Sequence, residues 1–183
     1  MASPRRIVRL YAALHTQAAG INATLVANGS PSKTVTLLLE RDAVKLLKRW
    51  GEEMVEMCGV LDGSHNDSFL MEATQTFYWA ALYATVRGAA WEDLQFDSVR
   101  RLAATCGVGT VPELRTAIAR LVALGEVAKP TKLFLLWNVA DRMYRVMTPP
   151  DKQWSLEQLM EADLQDMKKQ TYFAPLLDAI GEE

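Results

Sequence analysis

The stretch Asp42-Ala-Val-Lys-Leu-Leu-Lys-Arg-Trp-Gly-Glu-Glu-Met-Val-Glu-Met-Cys-Gly-Val-Leu61 decides the fold. Wound at about 3.6 residues per turn, it gathers Leu46, Leu47, Trp50, Met54, Met57, Cys58 and Leu61 on one face. Lys45, Lys48, Arg49, Glu52, Glu53 and Glu56 fill the other, so the segment reads as an amphipathic helix. Lys48 with Glu52 and Arg49 with Glu53 are i,i+4 pairs, but the cation precedes the acid, the weaker order, worth at most about 0.2–0.5 kcal/mol each. Three carboxylates crowded on one arc also repel one another. Solvent exposure and salt bridges account for that face as readily as a binding role does.

The rest of the chain agrees with a helical reading. Leu, Ala and Met total 56 of 183 residues against 18 for Val and Ile, a balance that favours helices over strands and predicts an all-α protein. Helices are expected at about 5–19, 34–61, 67–87, 92–105, 112–126, 131–147 and 155–179, the last broken near Thr171 or Pro175. Asn66 or Asp67 is the expected cap of the third, and Thr110 or Val111, ahead of Pro112 and Glu113, that of the fifth. Lys and Arg number 20 against 22 Asp and Glu, which leaves no global field to draw in polymeric nucleic acid or an anionic membrane. Cys58 and Cys106 have no metal-site spacing and point to a reducing, cytoplasmic setting. The apolar run 69–86 contains Glu72, Gln75 and three threonines, so a buried helix is expected rather than a membrane span.

That run sharpens the reading of the acidic face. Its side chains are apolar or small all round, and Glu72 is its one carboxylate. A lone buried carboxylate costs several kcal/mol, roughly, unless it is neutralised, hydrogen-bonded or bound to a cation. If the two helices pack antiparallel, Glu72 and Gln75 can face Glu52, Glu53 and Glu56. Four carboxylates and an amide oxygen make a hard-cation site for Mg²⁺ or Mn²⁺, with no His or Cys there to favour zinc. Mg²⁺ held in this way normally also binds phosphates, and Lys45, Lys48 and Arg49 lie on the adjoining turns. A structural ion cluster explains the same residues equally well.

The segment from Ser32 to Glu56 resembles the core of phosphoribosyl-ATP pyrophosphatase, one of the all-α nucleoside triphosphate pyrophosphatases, with the MazG-type and dimeric dUTPase enzymes. The superfamily pattern, EExxE and then ExxD on the next helix, is similar to Glu52-Glu53-Met-Val-Glu56 and Glu72-Ala-Thr-Gln75. Thr85-Val-Arg-Gly-Ala-Ala-Trp-Glu-Asp-Leu94 then resembles the Arg-Gly and following helix start of the phosphoribosyl-ATP enzyme. The resemblance covers roughly residues 10–97. It implies that Glu52, Glu53, Glu56 and Glu72 bind Mg²⁺ and serve catalysis, releasing pyrophosphate from phosphoribosyl-ATP or another nucleoside triphosphate. Lys45, Lys48, Arg49 and Arg87 are then the candidates for phosphate contact.

The sequence departs from that pattern at Gln75, where the family has an aspartate. An amide can ligate a metal but brings no charge. Either the site is retuned, another acid replaces it, or the protein is a catalytically degenerate nucleotide- or metal-binding one. A replacement is suggested by Leu136-Trp-Asn-Val-Ala-Asp-Arg-Met-Tyr144, which is similar to Met71–Tyr78 and sets Asp141 against Gln75, although Asp141 can equally pair with Arg142 or Arg145. Residues 1–98 thus read as a pyrophosphatase-like helical core and 99–183 as a helical extension. That extension is either a degenerate second repeat, making a single-chain pseudo-dimer, or an unrelated addition, and a homodimer stays open. Trp50 and Trp79 are candidates to line a base pocket, with core packing as the alternative.

Overall fold

A computed structural model describes residues 2–180. The chain runs through α1 (Pro4–Ala27), α2 (Lys33–Glu40), α3 (Ala43–Asp62), α4 (Phe69–Val86), α5 (Trp91–Leu94), α6 (Phe96–Leu102), α7 (Val111–Ala123), α8 (Pro130–Met147), α9 (Leu156–Lys168) and α10 (Phe173–Ile180). Short 3₁₀ turns precede α8 and α9, and no strand occurs among the described residues. The protein is an all-α bundle.

Capping chemistry sets the helix starts. Ser3, Ser32, Asp42, Ser68, Thr110 and Ser155 each accept, on a side-chain oxygen, the backbone N–H three residues on. Thr110 is one of the two expected caps. Ser68, not Asn66 or Asp67, opens α4, because it is the residue directly before the first core side chain, Phe69. Two further boundaries differ from the sequence reading. The expected helix 34–61 is broken at Arg41 (φ 53°), and 92–105 at Gln95 (φ 47°). Both are left-handed residues without glycine, a conformation that costs roughly 1–2 kcal/mol. At the first break, the Asp42 cap on Lys45 N–H, 2.9 Å, offsets part of that cost. The first helix also runs on to Ala27, past the expected end at 19.

The central element is α4, which packs against α1, α3, α8 and α9. Almost every side chain from Ala73 to Thr85 is buried, as its uniformly apolar or small sequence requires. Helix α8 lies antiparallel beside it: Phe69 stacks on Tyr144 at 3.8 Å, Trp137 donates its indole N–H to Ala73 O at 2.9 Å, and the Tyr83 hydroxyl donates to Ala128 O at 2.8 Å. The segments 1–98 and 99–183 therefore share one continuous core, reaching from Ala2 to Leu176. No helix among the described residues is long and apolar enough to cross a membrane.

The amphipathic face of α3 is covered by α4 on one flank and α7 on the other. Contact with α7 depends on Gly51, where an added Cβ would stand 2.5 Å from Val122 Cγ2. Gly51→Ala is expected to lower stability by about 1–3 kcal/mol, an overpacking penalty that exceeds alanine's gain in helix propensity. Val122→Ala in the same chain should restore most of it. Urea melts of the single and double variants check this, and an additive double variant would show that the two helices do not meet at that point.

Candidate metal centre

The α3–α4 hairpin brings together some of the residues singled out by the sequence and leaves others apart. Glu53 and Glu72 are buried, at 6% and 1% exposure, while Glu56 is exposed at the mouth of the same cluster. Burial, and then the Glu56 charge, push both buried carboxyls above the ordinary carboxylate range. Arg49 opposes the rise at Glu53, and His65 opposes it at Glu72. Even so, Glu53 Oε2 and Glu72 Oε2 are buried with no hydrogen-bond partner. Such oxygens cost roughly 1–3 kcal/mol each or more. They are what a cation would satisfy.

His65 is the residue that sequence reasoning missed, and it corrects the expectation that no His belongs to the site. Its Nε2 lies 3.3 Å from Glu72 Oε1 and 3.0 Å from Asp67 Oδ2. Donor atoms of Glu56, His65 and Glu72 all fall within 4.8 Å of one another, a grouping able to hold a metal ion. The local sequence explains why a loop residue arrives there. Gly63 turns the chain in the left-handed region (φ 76°), and Asp62 receives Ser64 N–H at 3.1 Å and Arg115 at 3.0 Å. His65 N–H then donates to Gly59 O at 3.1 Å. A Cβ on Gly59 would stand 2.6 Å from His65 Cβ, so only glycine lets the loop come this close. The signal was a glycine within a helix, one turn before a short loop carrying a histidine.

The cations divide along α3. Arg49 pairs with Glu52 and with Glu53 (3.4 Å), and its guanidinium lies over Trp79, 5.4 Å from the ring centroid. Lys33 covers the same ring at 5.8 Å. Glu52 is therefore turned toward Arg49. Lys48 is exposed, and Lys45 is paired with Glu40 at 2.7 Å. Arg87 caps the far end of α4, fifteen residues from Glu72, ~22 Å at the helical rise. It borders a cleft with Arg41, Asp42 and Glu126, out of reach of a phosphate at the cluster.

Gln75 is exposed and lines a separate cleft with Tyr11, Tyr78 and Asp163. Asp141 is buried and holds Arg145 through two 2.9 Å hydrogen bonds, while Asn138 donates to Phe134 O at 2.8 Å. Trp50 is fully buried in the core, and the Trp79 face is taken by cations, so neither offers an open ring to a base.

The grouping could hold one metal ion. Two carboxylates and an imidazole suit Mn²⁺ or a later first-row ion better than Mg²⁺, which prefers oxygen alone. No protein-family model matches this chain, no curated protein is significantly similar to it, and no solved structure matches it.

Proposed function

We propose that this protein is a metal-dependent hydrolase of phosphoanhydrides, of the all-α nucleoside triphosphate pyrophosphatase type, releasing pyrophosphate from phosphoribosyl-ATP or another nucleoside triphosphate. One observation carries the reading: Glu56, His65 and Glu72 converge beside the buried, unpartnered oxygens of Glu72 and Glu53. Glu56, His65 and Glu72 would hold the ion. Once bound, a divalent cation supplies Lewis acidity toward a phosphoanhydride oxygen and lowers the pKa of water.

The chain's own side chains do the rest. Glu53, kept basic enough to favour a proton by its burial, is the group suited to take one from an attacking water. Arg49, two-fold paired, keeps Glu52 and Glu53 in place and can turn its charge to phosphate. Lys48, the residue before Arg49, adds a second, exposed cation. Phosphate binding thus narrows to Lys48 and Arg49 from the four candidates. The paired hairpins α3–α4 and α7–α8 fit the internal repeat, although its second half offers an Asp141–Arg145 pair in place of a metal site.

A catalytically silent, metal- or nucleotide-binding protein is the second reading, favoured by the position of Gln75 in another cleft. Pyrophosphate release separates the two. With Mn²⁺ or Mg²⁺, phosphoribosyl-ATP and a panel of canonical and damaged nucleoside triphosphates, turnover is expected that Glu56→Ala reduces by about 10²-fold or more. Gly59→Ala, which displaces His65 without touching a carboxylate, is expected to cut turnover by about 10–100-fold while helix content by circular dichroism stays constant. Folded wild-type protein that releases no pyrophosphate across the panel leaves only the second reading.

A further inference from the structure

A second buried carboxylate, Asp163 on α9, has no part in the metal centre. It is 4% exposed. Its Oδ1 accepts a long hydrogen bond from the Tyr11 hydroxyl at 3.4 Å, and its Oδ2 has no partner. Asp163 borders a cleft of about 240 Å³ between α1, α4, α9 and the start of α10, walled by the rings of Tyr11, Tyr78 and Tyr172 and by Gln75 and Gln170. The hydroxyls of Tyr78 and Tyr172 are already engaged, with Thr34 at 2.9 Å and Ser32 at 2.7 Å. Among the described residues, no Lys, Arg or His lines this cleft. Its other acid, Asp166, is exposed and paired with Lys169 at 2.5 Å.

The cleft therefore offers a buried, unpartnered carboxylate oxygen, two side-chain amides and aromatic walls, and no cation of its own. A neutral occupant would leave the carboxylate charge uncompensated, and an anion would add to it. A divalent ion brings two charges and a tightly held water shell, and the cleft supplies one unpaired carboxylate and aromatic walls that such a shell cannot use. An N–H-bearing organic cation meets every feature, because its charge pairs with the acid and its carbon stem lies on the rings.

We propose that this cleft binds a small organic ammonium ion, its N–H groups donating to Asp163 Oδ2 and its apolar stem resting against Tyr11, Tyr78 and Tyr172. The titration state of the acid fits such a role. Burial pushes Asp163 up to about 7, Tyr11 holds it down and Asp166 adds to the rise. The groups facing it are Tyr11 from α1, Tyr78 from α4, Tyr172 ahead of α10 and Asp166 on its own helix, so the cation site opens as Asp163 ionises.

The full chain labelled with ¹⁵N, titrated with propylammonium, tests this through the amide signals of Thr74, Gln75, Gln170 and Tyr172. Saturable shifts are expected with propylammonium, and none with 1-propanol or propionate. Lowering the pH from 8 to 6 should weaken binding about tenfold, as Asp163 takes up its proton. Asp163→Asn should weaken it at least about tenfold. Gln75→Lys, an exposed change that places a cation in the mouth, should abolish binding with the melting temperature unchanged. Shifts that never saturate, an equal response to 1-propanol, or unaltered affinity in Asp163→Asn or Gln75→Lys overturn the proposal. None of these readouts involves pyrophosphate release, so the cleft and the metal centre stand or fall separately.

Discussion

Glu72→Gln is expected to eliminate metal-dependent pyrophosphate release while leaving the metal-free protein as stable as the wild type, or more so. The variant keeps the shape of a side chain that is 1% exposed and removes a charge. In the wild type that charge faces Glu56 and Glu53, and its Oε2 has no hydrogen-bond partner. Both buried carboxyls favour the proton, so the metal-free fold loses stability as pH rises from the ordinary 4.5 toward their higher folded values. Removing one relieves about 1 kcal/mol at neutral pH. Metal reverses the balance, since an ion at a hundred times its Kd stabilises the fold by ~2.7 kcal/mol. For a chain of this size that is about 5–10 °C in melting temperature. Mn²⁺ should therefore raise the wild-type Tm by about that amount and leave Glu72→Gln within ~1 °C of its metal-free value. If the variant instead melts lower than the wild type without metal, Glu72 serves the fold through His65, and the metal centre is lost as an explanation.

The fold was legible because one signal dominated. On α3 the apolar face read from the sequence is the buried face, with Trp50, Met54 and Met57 fully enclosed. Glu53 is the exception: it lies at the edge of the polar arc, and α4 closes over that edge, which a wheel of one helix cannot show. The breaks at Arg41 and Gln95 were invisible because neither carries Gly or Pro, and tertiary packing selects their left-handed backbone. Within the site, the acids of α3 and α4 were legible from helical spacing. Arg87 was separable by the same arithmetic, since fifteen residues of helix carry it away from Glu72. His65 depended on how a loop folds against Gly59, a short-range contact with no periodicity. Asp163 did leave a signal. It falls among Leu159, Met160, Leu164 and Met167 at i,i+3,i+4 spacing, a charge on an apolar face, masked by the exposed acids Glu157 and Asp166 around it.

That misplaced charge leads to the second large effect. Asp163→Asn is expected to stabilise the protein by about 1–3 kcal/mol at pH 8 and to have no stabilising effect near pH 4. Burial pushes the folded carboxyl up to about 7 from an ordinary 3.8, so it holds a proton in the folded state across a range where the unfolded chain has released it. Stability is therefore fully present below the unfolded value and is lost progressively as pH rises through the folded one. The gap corresponds to ~4 kcal/mol. Asparagine carries no charge, and its oxygen can still accept from Tyr11, but its amide N–H groups take the place of an unpartnered oxygen and return part of the gain. Urea melts at a series of pH values check this: between about pH 4 and 7 the wild type should weaken more steeply than the variant, which keeps only the dependence that Glu53 and Glu72 bring. Parallel curves would mean that Asp163 is hydrated or paired in solution. An added organic ammonium ion should narrow the difference at pH 8 by strengthening the wild type alone, because only the wild type has a charge for it to meet.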